Sequence, residues 1–102
     1  MKPIHGNSHK NTTPHHLYEI YDTEEEQIYK YGISNKPIGK DGLSSRIREQ
    51  LELFNNVVGW VRFIGRIILT GILGRKTAED VENEHIDEHE KVHGFRPRGN
   101  RK

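Results

Sequence analysis

Two short runs of aromatic and β-branched residues constrain what this chain can fold into more than any other feature. Residues 17–21 read Leu-Tyr-Glu-Ile-Tyr, and residues 27–33 read Gln-Ile-Tyr-Lys-Tyr-Gly-Ile. Residues 22–26 between them are polar and mostly acidic. Because strand-like runs joined by a short polar loop are typical of a β-hairpin, we expect the domain to be built on one.

A third strand is predicted further along the chain. Residues 60–69 are apolar or aromatic except at Arg62, Gly65 and Arg66, and the pattern indicates a strand that is kinked or bulged at Gly65. A buried helix through residues 64–73 is an alternative that the pattern leaves open.

A first helix is predicted after the turn-rich loop 34–42. Ser44 is its N-cap and the pair Asn55-Asn56 ends it, and its apolar positions recur at helical spacing: Leu43, Ile47, Leu51 and Phe54.

A second helix is predicted to begin with a capping box of Thr77 and Asp80 and to end at Gly94. The elements together predict a mixed α/β fold, in which helices flank a small three-stranded antiparallel sheet.

The chain of 102 residues is long enough for one domain with one core. Residues 1–16 are rich in His and turn formers, with Met1 and Ile4 as the large apolar residues, so we expect a flexible leader or linker there and the domain in residues 17–102. Cysteine is absent, which excludes disulfides and thiolate zinc sites. The longest apolar run, residues 67–73, falls far short of the roughly 20 residues that a membrane span needs, so no membrane insertion is expected.

The net charge of +1 conceals a segregation of charge along the chain. Acidic residues concentrate in residues 24–26 and 79–90, while basic residues predominate between residues 30 and 76 and again after residue 95. A local basic surface binds phosphate even when the whole chain is nearly neutral. The sequence therefore suggests a set of substrate-binding residues: Lys40, Arg48, Arg66, Arg96 and Arg98.

Glu82 is the one acid of the last helix that the helical pattern turns toward the core. On a helical wheel it shares a single arc with the apolar and His positions Ala78, Val81, His85, Ile86, His89 and Val92. A carboxylate on a packed face must be paired with a base, hydrogen-bonded or bound to a metal. A salt bridge to Arg46 or Arg66 is the alternative to a functional role.

His85, His89 and His93 follow one another at helical spacing on the same helix. This spacing suits a zinc ion held on one side of a helix, as in a zinc-binding interaction domain. Packed and hydrogen-bonded histidines, or a transient role in proton transfer, fit the same spacing.

The order of these parts is distinctive. Tyr18 lies in the first strand, Lys-Tyr-Gly-Ile at residues 30–33 in the second, Arg46 on the first helix and Glu82 on the last, and Gly-x-x-Pro-x-x-Asn spans residues 94–100. From about residue 17 to residue 100 the chain resembles the GIY-YIG endonuclease domain.

The resemblance assigns roles residue by residue. Tyr18 matches the tyrosine of the first half of the family name, and Gly32 matches the glycine of the second half. Lys30 stands where the second tyrosine is expected, and Tyr31 replaces it if the strand register slips. Arg46, followed by an apolar residue, matches the family arginine, and polar Gln50 follows it by four residues, as in many members.

Glu82, four residues after Ala78 and four before Ile86, matches the metal-binding glutamate, and Asn100 matches the closing asparagine. The resemblance thus implies a catalytic set of Tyr18, Lys30, Tyr31, Arg46, Glu82 and Asn100, with Mg²⁺ or Mn²⁺ bound by Glu82.

The activity implied is metal-dependent hydrolysis of phosphodiester bonds, with DNA favoured over RNA as substrate. The short domain behind a linker-like leader also resembles C-terminal nuclease domains of bacterial antibacterial effectors. Such a domain acts in the cytoplasm of a target cell after secretion or delivery as part of a larger protein, and it has a cognate immunity protein. Three alternatives remain open: a non-catalytic nucleic-acid-binding module of the same fold, a toxin that cuts RNA or tRNA, and a mobile-element or repair nuclease in place of a toxin.

Overall fold

The protein was analysed as a computed structural model that describes residues 13–100. Its elements are, in chain order, β1 (Pro14–Asp22), β2 (Gln27–Ser34), α1 (Ser45–Val58), β3 (Phe63–Leu73), α2 (Arg75–His93) and a short 3₁₀ turn (Arg98–Asn100). The three strands form one antiparallel sheet in the order β2-β1-β3. The predicted mixed α/β fold, with helices flanking a three-stranded antiparallel sheet, is confirmed.

The hairpin of β1 and β2 lies where it was predicted, but β1 begins earlier. Pro14–His16, assigned by composition to the leader, are strand residues, and His15 and His16 are buried. Composition alone does not predict this, because a polar residue that is buried with a hydrogen-bond partner looks the same in the sequence as a polar linker residue. His16 is such a residue, since its Nε2 lies 3.0 Å from Ser44 Oγ. Residues 1–12 of the expected leader lie outside the described part of the chain.

The third strand is β3, which pairs with β1, so the alternative helix through residues 64–73 is wrong. Its register irregularities fall opposite His15–Tyr18 rather than at Gly65. Gly65 instead makes room for α1, because a Cβ at this position would lie 2.8 Å from Ile47 Cγ2. The predicted strand start at residue 60 is wrong by three residues, and Arg62 N–H closes a tight turn onto Trp60 O at 2.9 Å.

Helix α1 packs on one face of the sheet and forms the core. Tyr18 and Ile20 of β1, Ile47 of α1 and Phe63 of β3 make up the buried cluster. The helix runs four residues beyond Phe54, so the predicted break at Asn55 is wrong: the Asn55 side chain bonds both backbone groups of Phe63, at 2.8 and 3.0 Å. Ser44 holds the N-cap position, as predicted, although its hydroxyl bonds His16 rather than the helix.

Helix α2 begins at Arg75, two residues before Thr77, so the predicted capping box is wrong. Asp80 pairs with Lys76 at 2.7 Å, within the helix. The predicted end at Gly94 is confirmed, and the φ of 84° there is a conformation that suits glycine.

The predicted apolar arc of α2 is partly correct. Ala78, Ile86 and His89 are buried, and Glu82 is partly buried, but Val92 is 67% exposed because the sheet does not cover the last turn. Within residues 13–100, neither helix is long and apolar enough to cross a membrane.

Asp22, at the end of β1, anchors the hairpin to the segment before β3. Its carboxylate accepts two hydrogen bonds from Arg62, at 2.8 and 2.7 Å, and also accepts from the backbone N–H groups of Glu24 and Glu25. The Arg62 hydrogen bonds hold the pKa of Asp22 below its usual range. This buried ion pair closes one end of the sheet.

Candidate active site

Tyr18 lies directly across from Gly32 in the sheet, and its ring is almost completely buried. A Cβ at position 32 would lie 2.9 Å from Tyr18 Cε1 and still closer to Cζ and Oη. Glycine at this position therefore makes room for the tyrosine ring. The Tyr18 ring therefore lies against the Gly32 backbone, and both residues are ones that the sequence resemblance singles out.

Gln50, on the inward face of α1, is the hydrogen-bond partner of Tyr18, with 2.6 Å between the phenol oxygen and the amide. The amide has two orientations that exchange its oxygen and nitrogen. With the nitrogen toward Tyr18, Oε1 accepts from Arg46 Nη2 at 3.2 Å and from Lys30 Nζ at 2.8 Å, so that both the nitrogen and the oxygen of the amide have a partner of the right kind. We therefore adopt this orientation, in which the Tyr18 oxygen accepts a hydrogen bond from Gln50.

Lys30 and Arg46 thus meet on one amide oxygen, although they come from β2 and α1. Lys30 is partly buried, and burial, followed by the charge of Arg46, lowers its pKa. Arg46 is exposed, so its guanidinium can meet a ligand from solvent. Lys30 and Arg46 place two positive charges close together, and because these charges repel each other, an anion that binds beside both is stabilised.

Burial raises the pKa of the Tyr18 phenol, and the charge of Glu82 acts in the same direction. Arg46 opposes the rise through its charge and a hydrogen bond. Glu82 also raises the pKa of Lys30, against the larger effect of burial. Glu82 on α2 therefore lies close enough for its charge to act on both Tyr18 and Lys30.

Asn100 reaches the free edge of β2 and imitates a neighbouring strand. Its Oδ1 accepts from Tyr31 N–H at 2.8 Å, and its Nδ2 donates to Tyr31 O at 2.9 Å. Tyr31 is flanked by Lys30 and Gly32, so these two bonds fix the strand between two residues of the site. The structure gives Asn100 a positioning contact with the backbone.

The structure does not bring Tyr31 together with Tyr18. Tyr31 pairs with Glu19 in the sheet, so its side chain faces away from Tyr18. The Tyr31 ring makes T-shaped contacts with the imidazole rings of His85 and His89. Lys30, and not Tyr31, is the β2 side chain beside Tyr18.

The α2 histidines serve the packing of the helix and the following loop. His85 Nδ1 donates to Val81 O, and His89 Nδ1 donates to Phe95 O, each at 2.9 Å. Within residues 13–100, no group of three or more His, Cys, Asp or Glu side chains is placed to hold a metal ion. The zinc-domain alternative therefore has no site in this part of the chain.

Glu82 is the carboxylate that the structure offers to a metal near Tyr18. Mg²⁺ keeps several waters and is bound by one or two protein carboxylates together with substrate phosphate oxygens. One partly buried carboxylate beside an anion site fits that requirement.

Four of the five predicted substrate-binding residues lie beside an acid. The pairs, with the distance between nitrogen and oxygen, are Arg48–Asp41 at 2.8 Å, Arg66–Glu19 at 3.0 Å, Arg96–Asp87 at 3.7 Å and Arg98–Glu25 at 4.0 Å. Lys40 is exposed in the loop before α1. Their role as substrate-binding residues stays a prediction.

Sequence reasoning gave Gln50 no role of its own. The signal was present, because Gln50 is a polar residue three positions after buried Ile47 and is itself only 7% exposed. A buried amide on an apolar helix face needs polar partners, and here those partners are the site residues.

The sequence model of one protein family, Tox-URI2, described as URI fold toxin 2, matches residues 8–94. The match includes Tyr18, Lys30, Arg46, Gln50 and Glu82 and ends before Asn100. No curated protein and no solved structure gives a significant match to the chain.

Proposed function

The chain belongs to the URI fold toxin 2 family, and on that premise we propose that it is a toxin domain that hydrolyses phosphodiester bonds with the chemistry of the GIY-YIG endonucleases. The observation that carries the proposal is the convergence of Tyr18, Lys30, Arg46 and Gln50, with the charge of Glu82 acting on the same groups. An interaction surface has no need for a buried tyrosine and two cations around one amide. A site for an anionic reaction centre does.

Arg46 and Lys30 bind the phosphate in this proposal. Both are cations directed at one acceptor, and the negative charge that builds on a phosphate under attack is stabilised by donors already in place. Gln50 is a positioning residue, since its amide holds Tyr18, Arg46 and Lys30 in fixed relation.

Tyr18 orients the attacking water and, once its phenol has lost its own proton to solvent, accepts the proton of that water. Its oxygen accepts a hydrogen bond from Gln50, an arrangement that stabilises the phenolate. Burial nevertheless raises the pKa of Tyr18, so the phenol is protonated at neutral pH in the free protein. The activity should therefore increase with pH.

Glu82 is the residue that would hold Mg²⁺ or Mn²⁺. A bound divalent ion supplies Lewis-acid stabilisation of the leaving oxygen and lowers the pKa of a coordinated water. The Glu82 carboxylate lies near Tyr18 and Lys30, so a phosphate bound by Arg46 and the carboxylate would both bind the divalent ion.

DNA is the favoured substrate, with RNA or tRNA as the competing one. As a member of a toxin family, the domain would be delivered into a target cell, act in its cytoplasm, and be neutralised in the producing cell by a cognate immunity protein.

The test is incubation of the purified full chain with plasmid DNA and with total tRNA, in Mg²⁺ or in EDTA. The variants are Glu82→Ala and Arg46→Ala, each shown by circular dichroism to be folded. Glu84→Ala is the matched control, because Glu84 lies two residues from Glu82 on α2 and is exposed. We expect Mg²⁺-dependent cleavage by the wild type and the control, and its loss in both site variants.

Two results would contradict the proposal. Cleavage that survives Glu82→Ala and Arg46→Ala would place the chemistry elsewhere. Tight nucleic-acid binding without cleavage of either substrate would favour the binding-module alternative, in which Lys30 in place of the second tyrosine has removed activity.

A further inference from the structure

A cleft of about 200 Å³ opens beside Arg46, where the end of β2 meets the first turn of α2. Its polar lining comes from several elements: His15, Ser34, Asn35, Lys36, Arg46 and Arg75. We call it the basic cleft. A volume below 300 Å³ is small for a drug-sized ligand and suits a single charged group with its nearest neighbours.

The lining of the basic cleft is cationic. Arg46 and Lys36 contribute two positive charges, Arg75 contributes a third that Glu79 partly offsets, and no carboxylate is among the described residues that line the cleft. Arg75 Nε bonds Glu79 at 3.2 Å, which steadies the guanidinium while its terminal nitrogens retain further donors. The Lys36 backbone N–H donates to Ser34 Oγ at 3.0 Å, so the loop that carries the lysine is tied to the end of β2.

Arg46 belongs to both the basic cleft and the candidate active site. It lines the cleft, and it reaches the amide of Gln50 beside Tyr18. An anion in the cleft therefore lies one side chain away from a phosphate at Tyr18. In a nucleic acid, consecutive phosphates are linked anions at short and regular separation.

A second cleft, of about 320 Å³, continues from the first and shares His15, Asn35 and Lys36 with it. Its wall includes Pro37 and Ile38, and Ile38 is 45% exposed. Proteins that bind single strands follow the backbone with a positively charged groove and stack the bases on aromatic side chains, and in this cleft Pro37 and Ile38 offer the bases an apolar contact in place of stacking.

We infer that the basic cleft binds the phosphate next to the one being cut, through Lys36 and Arg75, and that the strand continues from there over Pro37 and Ile38. This inference rests on the proposed function and adds the path by which the substrate strand leaves the candidate active site. It makes Lys36 and Arg75 positioning residues for the strand.

The test compares Lys36→Ala and Arg75→Gln with the matched control Lys76→Ala. Lys76 lies next to Arg75, is exposed, pairs with Asp80 and does not line the cleft. Binding of a fluorescein-labelled DNA oligonucleotide is measured in EDTA by anisotropy over a range of salt concentrations, and cleavage is measured in Mg²⁺. We expect Kd and KM to increase roughly tenfold in each cleft variant, with kcat unchanged and the salt slope reduced by about one.

A neutral methylphosphonate at either phosphate neighbouring the cut site supplies the second readout. On one of these two substrates Lys36→Ala should no longer increase Kd and KM, because the phosphate that Lys36 contacts carries no charge there. An increase that persists on both, or cleft variants that behave like Lys76→Ala, would overturn the inference. A wild type that cuts nothing would overturn the proposed function instead, and the binding measurements in EDTA would still decide the role of the cleft.

Discussion

Gly32→Ala should disable the protein through Tyr18, and the structure gives the size of the effect. The added Cβ would lie 2.9 Å from Cε1 of the ring and closer to Cζ and Oη, whereas unstrained carbon contacts begin near 3.5 Å. The ring must therefore move by roughly 1 Å, because Gly32 lies in a regular strand whose backbone accommodates alanine. Tyr18 is only 1% exposed, so core atoms must move with it.

Two consequences follow for Gly32→Ala. Overpacking of a buried contact costs about 1–3 kcal/mol in the free energy of unfolding, which lowers Tm by about 4–8 °C per kcal/mol in a domain of this size. A shift of about 1 Å also misplaces the phenol relative to Gln50, and misplacement on that scale costs about 100-fold in rate. We therefore expect a folded but less stable variant with cleavage reduced about 100-fold.

A double-mutant cycle with Tyr18→Ala separates this contact from a general effect on β2. Thermal unfolding is followed by circular dichroism for the wild type, both single variants and the double variant. In the Tyr18→Ala background the new methyl group meets no ring, so Gly32→Ala should cost much less. Equal costs in the two backgrounds, or an unchanged rate in Gly32→Ala, would refute the reasoning.

Three further results are expected. Asn100→Asp removes the N–H that donates to the Tyr31 carbonyl of β2, so it should lower the free energy of unfolding by about 1 kcal/mol and should change kcat more than it changes KM. An unchanged kcat would show that Asn100 does not position the site. The cleavage rate should rise with pH as the fraction of Tyr18 phenolate increases and should fall at still higher pH, because the reaction also needs the charge of Lys30; Lys30→Arg should abolish the fall, and a fall that remains would assign it to another group. Because hydrogen bonds from Arg62 depress the pKa of Asp22, the stabilisation from this group is full above the unfolded pKa near 3.8 and is lost as pH falls below that value. In Tm measurements against pH, Asp22→Asn should lower Tm at neutral pH and flatten the acid limb, and an unaltered limb would show that the pair is not responsible.

The parts of the fold that depend on local pattern could be predicted from the sequence. Strand pairing follows from the aromatic and β-branched runs at residues 17–21 and 27–33 and the short polar loop between them, and Gly94 ends α2 because a left-handed residue is needed there. The elements that were wrong depend on distant partners. Asn55 continues a helix because Phe63 takes its side chain, and Pro14–His16 are strand residues because β3 pairs with them.

The candidate site divides in the same way. Glu82 could be selected from its position on the helical wheel, and Tyr18 and Arg46 from the family resemblance, but the contacts of Gln50 and Asn100 could not be predicted. Gln50 acts through groups on β1 and β2, and Asn100 acts through a backbone whose edge is exposed only in the folded sheet. The predicted substrate-binding Arg and Lys residues could not be ranked by their availability to a phosphate either, because the sequence does not reveal which of them are paired with an acid.

The assembly of the site from distant segments ties activity to the last stage of folding. Local pairing in the hairpin of β1 and β2 places Tyr18 and Lys30 on neighbouring strands, but Arg46 and Glu82 arrive only when α1 and α2 dock. Contacts between distant segments form late, because the chain must first lose loop entropy. A partly unfolded chain would therefore lack the complete site, and the proposed activity would begin only when the last of these segments has docked.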